Sequence, residues 1–95
     1  MNILAALKNR FHEVLTEYAG DSDVQNLLDM IKQAQDARFG DYQANFAMPL
    51  GKRLGKAPRD VAAEILEKVG LDDICSQTDI AGPGFINLTI CPDWI

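Results

Sequence analysis

A Gly82-Pro83-Gly84 turn leads straight into Phe85-Ile86-Asn87-Leu88-Thr89-Ile90, and no other stretch of the chain limits its fold as tightly. Side chains two apart on a strand share one face. Ile86, Leu88 and Ile90 therefore make a core face, while Phe85, Asn87 and Thr89 share the other. Residues 77 to 80 read as a strand on the near side of the turn, which makes a hairpin. An aromatic ring with a carboxamide one rung away, on the side opposite three good core residues, suits a flat polar ligand such as a nucleobase. The ring stacks and the amide reads a base edge. The same pattern also describes a strand whose Phe85 packs under a helix and whose Asn87 is solvated. The strand pattern alone leaves both readings open.

The remaining segments are mostly helical. In residues 2 to 19, Ile3, Leu4, Leu7, Phe11, Val14, Leu15 and Tyr18 form one apolar stripe, with Asn2 as the N-cap and Gly20 just past the end. Residues 21 to 37 read as a short helical turn followed by a strand over about 30 to 34. Phe39-Gly40-Asp41-Tyr42 is a turn or strand end, where Gly40 permits a positive φ and Asp41 caps the following backbone. A helix is predicted over 43 to 54, with Phe46, Ala47, Leu50 and Leu54 inward. Pro49 requires that helix either to begin late or to kink. Pro58 opens another helix, with Val61, Ala62, Ile65, Leu66 and Val69 as its stripe and Gly70 as its stop. Residues 71 to 75 are a connecting turn. Cys91 to Ile95 resemble the start of a further helix, and Trp94 so near the end points to a piece of a longer chain. The order of elements predicts a two-layer α+β sandwich, a small antiparallel sheet of about three to four strands against helices.

Ninety-five residues make one domain, and a hydrophobic fraction of 47% is ordinary for a globular one. No apolar run approaches the ~20 residues needed to cross a bilayer. Met1 to Lys8 place no basic leader before their apolar part, so no signal peptide is expected. Cys75 and Cys91 lack metal spacing and read as reduced cytosolic thiols. With His12 as the single histidine, zinc sites and Ser-His-Asp chemistry have almost no material. A net charge of −5 argues against nucleic acid, but the charge is uneven. Residues 32 to 59 hold Lys32, Arg38, Lys52, Arg53, Lys56 and Arg59 against Asp36 and Asp41, a balance of +4, while residues 60 to 95 carry −6. A basic patch is enough to attract phosphate, although such lysines also simply solvate helix faces.

Phe39-Gly40-Asp41-Tyr42-Gln43-Ala44-Asn45, then Ala47-Met48, then Gly82-Pro83-Gly84-Phe85-Ile86-Asn87 resemble the N-terminal additional domain of bacterial-type arginyl-tRNA synthetases in order and spacing. The resemblance covers nearly the whole chain and is weakest in residues 20 to 36. It implies a single N-terminal tRNA-recognition domain, residues 1 to 95, of a larger cytoplasmic synthetase. Its partners would be tRNA(Arg), touched at the D-loop and outer corner, and the remaining domains of the enzyme. Neither a membrane nor DNA is expected. Family members set an aromatic and an amide at the two strand positions occupied here by Phe85 and Asn87 against a D-loop base. Lys52, Lys56 and Arg59 would hold phosphates without reading sequence. Gly40, Asp41, Gln43, Asn45, Gly82, Pro83 and Gly84 are the motif residues, with Gln43 and Asn45 holding the turn and helix start.

The same resemblance implies a parent enzyme that joins arginine to its tRNA with ATP and magnesium, but this segment lacks the HIGH-like and KMSKS-like signatures of class I synthetases. No cofactor, metal or catalytic residue is expected in these residues. Gly51-Lys52-Arg53-Leu54-Gly55-Lys56 lacks the spacing of a phosphate loop, and Gly82-Pro83-Gly84 leads into a strand rather than a helix. Its side-chain-free residues would let a nucleotide approach closely. Asp72-Asp73 is a solvated carboxylate pair or a weak metal contact. The alternative to RNA recognition is a protein-interaction module, in which Phe85 and its strand face dock a partner domain.

Overall fold

A computed structural model describes residues 2 to 94, with the side chains of all but Ala37 and Trp94. It is an α+β sandwich of four helices on a four-stranded antiparallel sheet. The first helix, α1, spans Ile3–Ala19. Asn2 caps it by accepting the Ala5 N–H at 3.1 Å, and Gly20, at φ 80°, donates to the Thr16 carbonyl at 2.8 Å. Leu7, Phe11, Val14 and Leu15 lie buried along its stripe, and His12 is exposed. A five-residue helix α2 (Val24–Leu28) and strand β1 (Ile31–Gln33) follow, in the order read from the sequence.

The helix predicted over 43 to 54 is corrected. Residues Tyr42–Ala44 form strand β2, and helix α3 begins only at Ala47 and runs to Leu54. β2 pairs with β1 on one side and with the last strand on the other, and the sheet hydrogen bonds on both sides outweigh any local helical tendency. The late start places Pro49 in the first turn, where its missing N–H has no intrahelical acceptor to lose. Leu54, predicted to point inward, is 38% exposed, because the chain turns away at left-handed Gly55 directly after it.

Helix α4 (Pro58–Lys68) starts on its proline, carries Asp60 in the first turn and Lys68 in the last, and buries Val61, Ala62 and Ile65. Strand β3 spans Cys75–Ala81, longer than expected, with an irregularity between Cys75 and Gln77, and β4 spans Phe85–Ile90. The strand order is β1-β2-β4-β3. Ile86, Leu88 and Ile90 enter the core as the alternation requires, together with Ile31 and Ala44 from β1 and β2. Above them, Phe11 of α1 and Phe46 before α3 meet edge to face at 5.3 Å. Pro92–Trp94 form a single 3-10 turn. The expected further helix would include Ile95, which lies outside the described residues. Among the described residues no helix is long and apolar enough to cross a membrane.

Candidate nucleic-acid interface

The two sequence blocks singled out above become neighbours because β2 pairs with β4. Gln43 stands opposite Asn87 in that pairing, Asp79 of β3 stands opposite Asn87 on its other side, and Lys32 of β1 stands opposite Gln43. A polar row, Lys32, Gln43, Asn87, Asp79, thus crosses the sheet on the face away from the core. Within it Gln43 Nε2 donates to Asn87 Oδ1 at 2.9 Å. This corrects the role first given to Gln43: its side chain reaches across the sheet instead of holding a helix start. Asn87 is also more enclosed than a solvated amide, at 9% exposure, since it sits on an inner strand with neighbours on both sides. Phe85, next to the turn on the same face, is half-buried and opposite Ala81.

The turn is built around its glycines. Gly84 has φ 145°, and a Cβ there would lie 2.7 Å from Pro58 Cβ and 2.9 Å from the Pro58 carbonyl carbon. Its bareness serves the packing of α4 against the hairpin. A Cβ on Gly82 would meet the Phe85 ring at 3.4 Å, so the turn rests against the aromatic. Arg59, from the first turn of α4, donates to the Gly82 carbonyl at 2.6 Å and pins that arrangement. At the opposite end of β4, Gly40 has φ 85° and comes so close that a Cβ would lie 2.7 Å from the Leu88 carbonyl oxygen. Asp41 donates its N–H to Leu88 O at 2.8 Å and accepts the Ile90 N–H on Oδ2 at 2.8 Å. Asp41 therefore ties β2 to β4 rather than capping its own turn. Asn45 links β2 to α3, with its N–H on Met30 O at 3.4 Å and its carbonyl taking the Met48 N–H at 3.3 Å.

The cations are less collected than the charge count suggested. Lys56 Nζ lies 3.1 Å from Glu64 Oε2, and Tyr18 of α1 donates to the other oxygen at 3.2 Å. Lys56 first, and Tyr18 next, hold the Glu64 carboxyl below the usual carboxylate range. Arg53 pairs with Asp23 at 3.1 Å and Arg38 with Asp36 at 2.6 Å. Lys52 is exposed on α3. The fold thus brings Phe85, Asn87, Gln43 and the turn together with Arg59, and leaves Lys56 among the helices. Asp73, half of the acidic pair, takes a two-pronged contact from Arg10 at 2.7 and 2.8 Å. Among the described residues no group of three or more His, Cys, Asp or Glu is placed to hold a metal. Cys75 and Cys91 are free thiols, and burial, then the neighbouring Cys91, pushes Cys75 up to about 11.

Comparison with known proteins bears directly on this arrangement. The family model described as the arginyl tRNA synthetase N terminal domain matches residues 2–90. The chain belongs to that family. Over 95 residues it is 43% identical to the arginine–tRNA ligase of Synechocystis sp. and 45% identical to that of Alteromonas mediterranea, in each case covering 100% of this chain. It spans only 16% of the length of either ligase. The crystal structure of arginyl-tRNA synthetase from Plasmodium falciparum superposes with a TM-score of 0.75 at 18% identity, over 97% of this chain and 16% of that one, which establishes a shared fold. In this arginyl-tRNA synthetase N-terminal domain, the paired motifs are the β2 and β4 strands of one sheet. At the Gly82-Pro83-Gly84 turn, Pro58 and Arg59 fill the space beside Gly84.

Proposed function

We propose that this chain is the tRNA-contacting N-terminal domain of an arginine–tRNA ligase and lies against the D-loop at the outer corner of tRNA(Arg). Phe85 carries the reading. It is a half-buried aromatic on the sheet face away from the core, beside a carboxamide pair and a turn that backs its ring. An aromatic so held stacks on an unpaired base at little cost in side-chain entropy. Asn87 reads the edge of that base. Lys52 is the phosphate contact that asks for no rearrangement, and Arg59 and Lys56 add to it when they exchange their internal partners for phosphate. ATP and magnesium belong to the remainder of the cytoplasmic ligase, which attaches arginine to the tRNA.

The test is a gel-shift titration of the chain with an arginine-accepting tRNA and an unrelated tRNA. Tighter binding of the first, lost on Phe85→Ala, supports the proposal. Equal binding of both, or indifference to the Phe85 change, refutes it. The pure chain should also give no arginine-dependent pyrophosphate exchange, since its sequence carries neither a HIGH-like nor a KMSKS-like signature.

A further inference from the structure

The Gln43–Asn87 contact says more about recognition than that an amide is present. A free asparagine side chain turns over and offers donor and acceptor in either order, so it serves adenine or cytosine, with an amino group beside a ring nitrogen, and also guanine or uracil, with a carbonyl beside an N–H. Asn87 is not free in this sense. Gln43 Nε2 occupies one side of its Oδ1 at 2.9 Å. Charges at the two ends of the row favour that same order. Lys32 stands opposite Gln43 on β1, and a positive charge there favours a Gln43 carbonyl turned toward β1 with Nε2 toward Asn87. Asp79 stands opposite Asn87 on β3, and a negative charge there favours Nδ2 turned toward β3 with Oδ1 toward Gln43. Directly paired residues have Cβ atoms about 5 Å apart, within reach of both effects. Gln77 donates to Asp79 Oδ2 at 2.7 Å.

We infer that Gln43 is a specificity-determining positioning residue: by locking the Asn87 carboxamide in one orientation, it makes the domain discriminate amino-bearing from keto-bearing bases. This rests on the tRNA-binding reading above. With Phe85 fixing the plane of the base and the course of the loop backbone fixing which face of the base meets the ring, the outward edge of Asn87 presents its acceptor on the β2 side and its donor on the β3 side. A base of the opposite polarity then meets donor against donor and acceptor against acceptor.

Substitution at Gln43 provides the test, because a carboxylate there can only accept. In Gln43→Glu, Asn87 must turn Nδ2 toward β2, and the edge it presents is reversed. The probes are hairpin RNAs copying the D arm of an arginine-accepting tRNA and differing only in the base of the loop nucleotide to which wild-type binding is most sensitive. Wild type is expected to prefer adenine over guanine by roughly five- to a hundredfold. Gln43→Glu should reverse the sign of the preference, and Gln43→Ala should bring it near parity. A purely structural Gln43 would weaken all hairpins alike, and an adenine-to-guanine ratio unmoved by Gln43→Glu overturns the inference. Binding of no hairpin by the wild-type chain overturns the tRNA reading and the discrimination with it. Side-chain amide NMR decides the lock without RNA. Slow exchange at Gln43 Nε2 in wild type, passing to Asn87 Nδ2 in Gln43→Glu, supports it. A wild-type Asn87 Nδ2 proton bonded to Gln43 overturns it.

Discussion

The outer face of β4 and the basic segment from Lys52 to Arg59 were both candidates for holding RNA, and the fold treats them differently. On β4 the backbone alone decides where each side chain goes. A strand next to a core has one face in and one face out, so Phe85 and Asn87 share a surface as soon as Ile86, Leu88 and Ile90 are buried. In the basic segment the backbone decides little. Long side chains reach Asp23, Glu64 or the Gly82 carbonyl, and three of the four cations acquire internal partners. Short side chains on a regular strand report their position, whereas long ones on helix ends and loops report only their charge.

The largest effect should separate the two faces of β4. Leu88→Ala removes a side chain with 0% exposure from the middle of the core and should cost ~2–5 kcal/mol of stability. Phe85→Ala, half-buried on the other face, should cost clearly less. Denaturant unfolding of both variants checks the order, and equal losses would mean that Phe85 is a second core residue. The converse should hold for RNA. Phe85→Ala should weaken tRNA binding by ~1–3 kcal/mol, the range for loss of one stacked base, while any Leu88→Ala variant that remains folded should bind nearly as wild type. Affinities measured well below the melting temperature of each variant keep the two effects apart.

This contrast also explains what the sequence disclosed. Periodicity located α1, α4 and the hairpin, because burial of one stripe or one face governs each of them. It failed over residues 43 to 46, where β1 and β4 draw Gln43 and Ala44 into the sheet and Asn45 and Phe46 connect that strand to α3. The polar contacts that build the site were not legible. Asp41 bonds Ile90 and Gln43 bonds Asn87, spans of 49 and 44 residues that depend on β2 inserting beside β4. Alternation of Tyr42 and Ala44 with Gln43 was the available signal for that strand, and three residues are too few to outweigh the helical pattern that follows. The family motif marked these positions without showing what their side chains do.

Salt dependence gives a smaller effect that sharpens the comparison. If Lys56 and Arg59 keep their internal partners on binding, phosphate neutralisation falls mainly to Lys52, and the slope of log affinity against log salt should be about −1. It approaches about −3 if all three cations turn to phosphate. Lys52→Ala should flatten the slope by about one unit, and Lys56→Ala should flatten it only where the Lys56–Glu64 pair opens on the RNA. A slope that responds equally to both would show that the Lys56–Glu64 pair opens on the RNA.

The smallest effect is acidic unfolding, and its sign follows from the exposed ion pairs. Hydrogen bonds from Arg10, which also grips the Gly70 carbonyl at 2.9 Å, hold the Asp73 carboxyl below its ordinary value. Arg38 does the same to Asp36, and Gln25 with Lys8 to Asp29. A carboxyl whose folded pKa lies below the unfolded one stabilises the fold above the unfolded value, and that contribution disappears as pH falls through the folded value. Wild type should therefore exceed Asp73→Asn in melting temperature at neutral pH, with the gap narrowing from roughly pH 4 downward. Because both partners are solvent-screened, the gap should be small and should shrink with added salt. A difference between the two proteins that is constant from pH 7 to pH 2 would mean that the Arg10 contact works through the shape of the asparagine or aspartate side chain and not through charge. In that case the ties between α1 and the turn before β3 would belong with the strand face, as features set by packing, and not with the cations of the basic segment.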